Sequence, residues 1–264
     1  MRTTKSAIST MAVCAALLVG AVFAPSGLGG WEEKEGVRVG VTGKLRPTVL
    51  PRHGRVPIGV SLGGKISSAN VGEPPKLTKL TIEINRNGHL DTRGLPRCHL
   101  RSIRPSTNRE ALDACRSSLV GEGSFSANVR FPEQSPFPSN GKVLAFNGLD
   151  HGRPTIFAHI YGTEPVPTSY VLSFRIRHRS GTYGTVLETT FPEVTGEWGY
   201  VTGLTMSLHR RFSFRGRTRG YLSAGCPAPA GFTKVLFPLA RTSFEFEDGL
   251  EIPAVIERTC TVRR

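Results

Sequence analysis

Short runs of alternating apolar and polar residues recur from residue 36 to the end of the chain. This period of two constrains the fold more than any other feature. In Val37-Arg38-Val39-Gly40-Val41 and Leu80-Thr81-Ile82-Glu83-Ile84, successive side chains point to opposite faces, so the apolar ones share one face. Further runs span 125–131, 142–146, 155–161, 170–178, 183–191, 201–208, 242–246 and 252–262, with turn residues between nearly all of them. The 30 glycines and 19 prolines argue against long helices. The expectation is an all-β protein of immunoglobulin-like β-sandwich architecture.

One helix interrupts this pattern, predicted at about 107–117. Thr107-Asn108-Arg109-Glu110 has the capping-box form, in which a threonine hydroxyl and a glutamate carboxylate satisfy exposed backbone N–H groups. Ala111, Leu112, Cys115 and Leu119 then fall on one helical face. Asn87-Gly88 predicts a tight hairpin, and the proline-rich stretch 132–140 predicts a surface loop. Residues 77–86 resemble residues 201–210, which suggests two tandem related units, 36–148 and 153–264, following a linker at 27–35. One continuous β domain over 36–264 is the alternative.

The N-terminus reads as an export signal. Arg2 and Lys5 precede an uncharged run from Met11 to Phe23, and small residues follow, so residues 1–26 are expected to be removed. The run is shorter than the ~20 residues a spanning helix needs, and no stable membrane insertion is expected after cleavage. The remaining 238 residues (264 less 26) retain four cysteines, Cys98, Cys115, Cys226 and Cys260. An even number in an exported chain predicts two disulfides. Of the three possible pairings, Cys98 with Cys115 and Cys226 with Cys260 closes each loop within a local unit. The absence of an Asn-x-Ser/Thr acceptor leans toward bacterial export.

Charge sets the expected partners. The chain carries +14, or +12 once Arg2 and Lys5 are lost, an excess that favours anions through long-range attraction. Arg175, Arg177 and Arg179 should share a strand face opposite Phe174, Ile176 and His178. Arg211, Ser213, Arg215 and Arg217 should oppose Phe212 and Phe214. If those strands are neighbours, the result is an arginine stripe able to hold phosphates or carboxylates of an envelope polymer through bidentate hydrogen bonds.

Catalytic signatures are thin. No nucleophile elbow, zinc helix or P-loop occurs, the histidines show no ligand spacing, and no metal or cofactor is expected. Asp150-His151 with Ser169 or Ser223 is the nearest approach to a hydrolytic triad. Glu164, Glu188, Glu193 and Glu197, with Trp198 and Tyr200, are the nearest approach to a glycoside-hydrolase site.

The runs Ser124-Phe125-Ser126-Ala127-Asn128-Val129, Gly141-Lys142-Val143-Leu144-Ala145-Phe146-Asn147-Gly148 and His159-Ile160-Tyr161-Gly162-Thr163-Glu164-Pro165-Val166-Pro167-Thr168-Ser169-Tyr170 resemble uncharacterised exported proteins of high-GC soil actinobacteria. That resemblance implies an exported bacterial β protein and carries no activity. The leading expectation is a secreted or envelope-associated, non-enzymatic protein that binds anionic surface polymer. An extracellular polysaccharide hydrolase and a nucleic-acid binder are the alternatives.

Overall fold

The computed structural model describes residues 30–130, 133–164, 167–191 and 199–263. The expected export signal lies outside the described residues, as do Glu193, Glu197 and Trp198. The described residues form seventeen strands. They are β1 (Trp31–Lys34), β2 (Val37–Arg46), β3 (Val49–Leu50), β4 (Val56–Ser68), β5 (Leu77–Asn85), β6 (Gly88–Leu90), β7 (Leu119–Val129), β8 (Phe137–Asp150) and β9 (Arg153–Gly162), followed by β10 (Thr168–His178), β11 (Tyr183–Thr190), β12 (Gly199–Leu208), β13 (Arg211–Phe214), β14 (Arg217–Gly220), β15 (Leu222–Ala224), β16 (Lys234–Phe246) and β17 (Glu251–Val262).

Thirteen of these run side by side in one sheet, in the order β1-β2-β4-β12-β7-β8-β9-β10-β11-β5-β16-β17-β3. β15 pairs with both β4 and β6, and β13 and β14 form a separate hairpin. The sheet curls until its two ends approach. Arg258 of β17 donates from Nε to the Gly43 carbonyl of β2 at 2.5 Å, and Gly43 lies against Ile256, with no room for a Cβ. Strands from both sides of residues 148–153 alternate in this sheet: β12 lies between β4 and β7, and β5 between β11 and β16. The segments 36–148 and 153–264 therefore do not form separate sheets. β8 and β9, which flank the expected boundary, are hairpin partners across His151-Gly152. Both turn residues have positive φ, as a two-residue turn of matching twist requires.

Alternation survives the curling. Val37, Val39, Val41 and Leu45 of β2 are buried while Arg38, Lys44 and Arg46 are exposed. Phe174 and Ile176 of β10 are buried while Arg175 and Arg177 are exposed. One apolar core fills the inside of the curl. A second, smaller core lies outside it, where Leu144, Phe146, Phe157 and Val171 meet Ile103 and Ala111. The helix α1 (Asn108–Cys115) covers this patch and starts with the expected capping box. The Cys98–Cys115 disulfide pins the helix end, and Cys226–Cys260 ties the segment after β15 to β17.

Two local expectations need correction. Asn87-Gly88 closes no hairpin, because the Asn85 carboxamide accepts from the Asn87 backbone and turns the chain so that β6 pairs with β15 instead. Residues 137–140, expected in a loop, belong to β8, where register with β7 overrides their proline content. No helix among the described residues is long and apolar enough to cross a membrane.

Candidate anion-binding groove

Strands β2, β4, β12 and β7 carry unusually small polar residues outward. Antiparallel register aligns Lys44, Ser61, Ser207 and Glu122 in one row and Thr42, Gly63, Thr205 and Ser124 in the next. Neighbouring strands stand ~4.8 Å apart, so hydroxyls in a row can bond. Ser61 Oγ and Ser207 Oγ lie 2.6 Å apart, and Ser124 Oγ and Thr205 Oγ1 lie 2.8 Å apart. Gly59 and Gly63 keep the floor low. A Cβ at Gly63 would come within 2.8 Å of Thr42 Oγ1, and one at Gly59 would lie 3.4 Å from the His209 Cβ.

The first of these rows, with Ser61, Ser207, Gly59 and Gly123, floors an open groove of about 940 Å³ rimmed by Lys44, Arg46, His209 and Arg211, and the Thr42–Ser124 row lies outside it. Glu122, the only carboxylate lining it, pairs with Lys142 at 3.0 Å. Lys44, Arg46 and Arg211 have no carboxylate partner among the described residues. Beside them, Arg210 Nε is buried without a hydrogen-bond partner. Bare cations over a hydroxyl floor can accept an anionic chain, because each contact exchanges hydration for a charge-assisted hydrogen bond.

The arginine stripe expected from the sequence divides into two parts. Arg175 and Arg177 share the outer face of β10, Arg179 follows just past its end at His178, and each of the three meets a carboxylate. Arg175 lies 3.7 Å from Asp150, Arg177 lies 2.5 Å from Glu188, and Arg179 pairs with Glu83. Glu83 also binds Arg241, whose guanidinium stands 5.0 Å from the centre of the Tyr183 ring. Lys79 bridges Glu245 at 2.8 Å and Glu188 at 3.8 Å, and the hydrogen bond to Glu245 raises its pKa above the ordinary lysine value. Four cations thus face four carboxylates in the shallow depression on this side.

Arg211, Arg215 and Arg217 belong to the β13–β14 hairpin, which is not a neighbour of β10. The strand expected through Arg215 stops there, because Arg215-Gly216 is a turn with positive φ at both residues. Arg215 and Arg219 lie 5.3 and 5.1 Å from the centre of the Phe214 ring. Phe214 in turn rests on Gly94, where no side chain would fit. Asp91 anchors the hairpin through Arg219 at 2.9 Å. Burial alone would raise the Asp91 pKa, but hydrogen bonds from Arg93 and Arg219 hold it below the usual carboxylate range.

Of the groove's cations, the sequence reading found Arg211 and missed Lys44, Arg46 and His209. Extending the β2 alternation to Arg46 was the available signal for two of them. β4, which supplies the floor, was hidden by Pro57, Gly59, Gly63 and Gly64.

The hydrolytic constellations do not assemble. His151 Nδ1 lies 2.9 Å from Asp150, but Ser169 pairs with Tyr161 at the far end of the β9 ladder, roughly 25 Å away by strand rise. Ser223 lies on β15. A different serine, Ser106, sits 3.2 Å from His159 Nε2, which also lies 3.0 Å from the Ser106 carbonyl. His159 is fully buried, its Nδ1 has no partner, and burial lowers its pKa. With no carboxylate to orient it, this histidine ties the segment before α1 to β9. Glu188 is held by Arg177 and Lys79. No cluster of metal-ligating side chains occurs among the described residues. No protein-family model, curated protein or solved structure matches the chain.

Proposed function

We infer that this is an exported, non-enzymatic β protein whose outer groove binds an anionic polymer of the cell envelope. The observation that carries this reading is the set Lys44, Arg46 and Arg211, without carboxylate partners among the described residues, around the Ser61–Ser207 floor, whereas the cations beside β10 are neutralised. The groove runs across strands, so an extended chain can lie over the Ser61–Ser207 row and present its charges to the rim. Its lining contains no Phe, Tyr or Trp. A stacking platform for bases is therefore missing, which favours a phosphate- or carboxylate-bearing glycan over nucleic acid. The two disulfides are compatible with an oxidising, extracellular location.

The test is fluorescence anisotropy of labelled poly(glycerol phosphate) with the purified protein across a salt titration. Single-stranded DNA of equal charge serves as a competitor. Binding that weakens with salt, is lost in the Lys44→Gln/Arg46→Gln/Arg211→Gln variant and survives in Arg175→Gln/Arg177→Gln/Arg179→Gln supports the groove. Equal loss in both variants, or no binding at low salt, removes it. Stronger binding of the DNA would move the assignment to nucleic acid.

A further inference from the structure

The inside of the curl is not filled evenly. Val143, Ala145, Ile156 and Ala158, the inward residues of β8 and β9, are sealed from solvent. The inward residues Val60 and Leu62 of β4, Leu204 and Met206 of β12, and Ile82 and Ile84 of β5 are only half-buried, although all six face the same interior space. Protein interiors normally pack to crystal density, so accessible aliphatic surface on inward residues means unfilled room between these walls. The room amounts to a cavity of about 80 Å³.

Its chemistry restricts what can occupy it. No Lys, Arg, Asp or Glu lines it, and its few polar members lie mainly at one end, where Asn85, Asn87, His89 and Ser223 gather. Asn85 is already engaged, donating to the Pro238 carbonyl and accepting from Asn87. A water needs two to four polar partners and about 10–15 Å³ of such volume, so the space would hold roughly five to eight waters, most of them without partners. Methylene groups fill a site of this kind better, each contributing ~0.8 kcal/mol when buried.

We propose that this lumen binds an uncharged aliphatic molecule of about six to eight carbons, with any hydroxyl directed to the Asn87–Ser223 end. A carboxylate of the same length is disfavoured, since no Lys or Arg lines the space and burying an ion without a partner is costlier than burying an alcohol. The lumen and the outer groove lie on opposite faces of the sheet and share Ile58, Val60 and Leu208 in their linings.

1-Hexanol and hexanoate are the probes. With the Met206 methyl ¹³C-labelled, 1-hexanol should give a saturable shift and an intermolecular NOE to that methyl. Calorimetry should show a negative heat-capacity change, and hexanoate should bind at least ~10-fold more weakly. Leu204→Trp, which fills the space, should abolish hexanol binding. If that variant does not fold, the NOE in the unsubstituted protein decides the matter. Absence of a saturable shift overturns the proposal, as does equal binding of alcohol and carboxylate, or binding that persists in folded Leu204→Trp.

Discussion

Two outer faces of the same sheet carry comparable numbers of cations and differ in what stands beside them. On β10, β11, β5 and β16, every arginine or lysine in the depression meets a carboxylate one or two strands away. On β2, β4 and β12, the neighbouring positions are serine, threonine and glycine, and Lys44, Arg46 and Arg211 stay bare. The difference teaches that a row of arginines says little about anion binding until the adjacent strands are known. Cross-strand pairing places neighbours ~5 Å apart, close enough for a glutamate to neutralise a site completely.

Four predictions press on this comparison. The largest effect concerns the frame holding both faces. Replacing Cys226 and Cys260 by serine should lower unfolding stability by roughly 4 kcal/mol, and replacing Cys98 and Cys115 by roughly 3 kcal/mol. Urea denaturation monitored by tryptophan fluorescence measures both. A smaller loss from the first pair would mean that β17 is held to the rest of the curl without it. Next, the Lys44→Gln/Arg46→Gln/Arg211→Gln variant should bind poly(glycerol phosphate) on the order of 100-fold more weakly, about 1 kcal/mol per charge-assisted contact. The same substitutions should leave the melting temperature nearly unchanged, since none of the three cations is in an ion pair among the described residues.

Glu83→Gln tests the neutralised face from the other side. Arg179 and Arg241 are each nearly half exposed, so solvent screens the loss, and a destabilisation of about 1–2 kcal/mol is expected by thermal unfolding. The same variant should acquire salt-sensitive polyanion binding on this face, where Arg179 and Arg241 lose their shared carboxylate. If stability falls without any gain in binding, charge neutralisation is not what separates the two faces. The smallest effect is a pH dependence at Asp91, whose folded pKa is depressed. A depressed acid stabilises the fold above its unfolded pKa of ~3.9, and the contribution disappears as pH falls through the folded value. Below about pH 4 the β13–β14 hairpin should therefore loosen, seen as exchange broadening of the Phe214 ring signals. Asp91→Asn should show that broadening already at neutral pH.

Much of the local structure is legible in the residues themselves. The alternation of Phe174 and Ile176 with Arg175 and Arg177 assigns the two faces of β10, because side chains along a strand point alternately. Thr107 and Glu110 mark the start of α1 through a hydrogen-bond pattern confined to four residues. The pairing of Cys98 with Cys115 and Cys226 with Cys260 follows from short separations. β4 is the instructive failure. Its outward positions are Pro57, Gly59, Ser61 and Gly63, residues that weaken strand propensity in isolation, and it is held by ladders to β2 and β12 that no local window contains.

The β class, the capped helix, the disulfide frame and a net positive charge can be read from the residues alone, because each depends on composition or on residues near one another in the chain. The interleaving of both halves in one curled sheet, the meeting of Arg177 and Arg179 with Glu188 and Glu83, and the gathering of Lys44, Arg46 and Arg211 around Ser61 and Ser207 come from the folded sheet. Those outcomes depend on register between strands far apart in the chain, such as β4 with β12 and β5 with β16, and register is a property of the whole packed sheet.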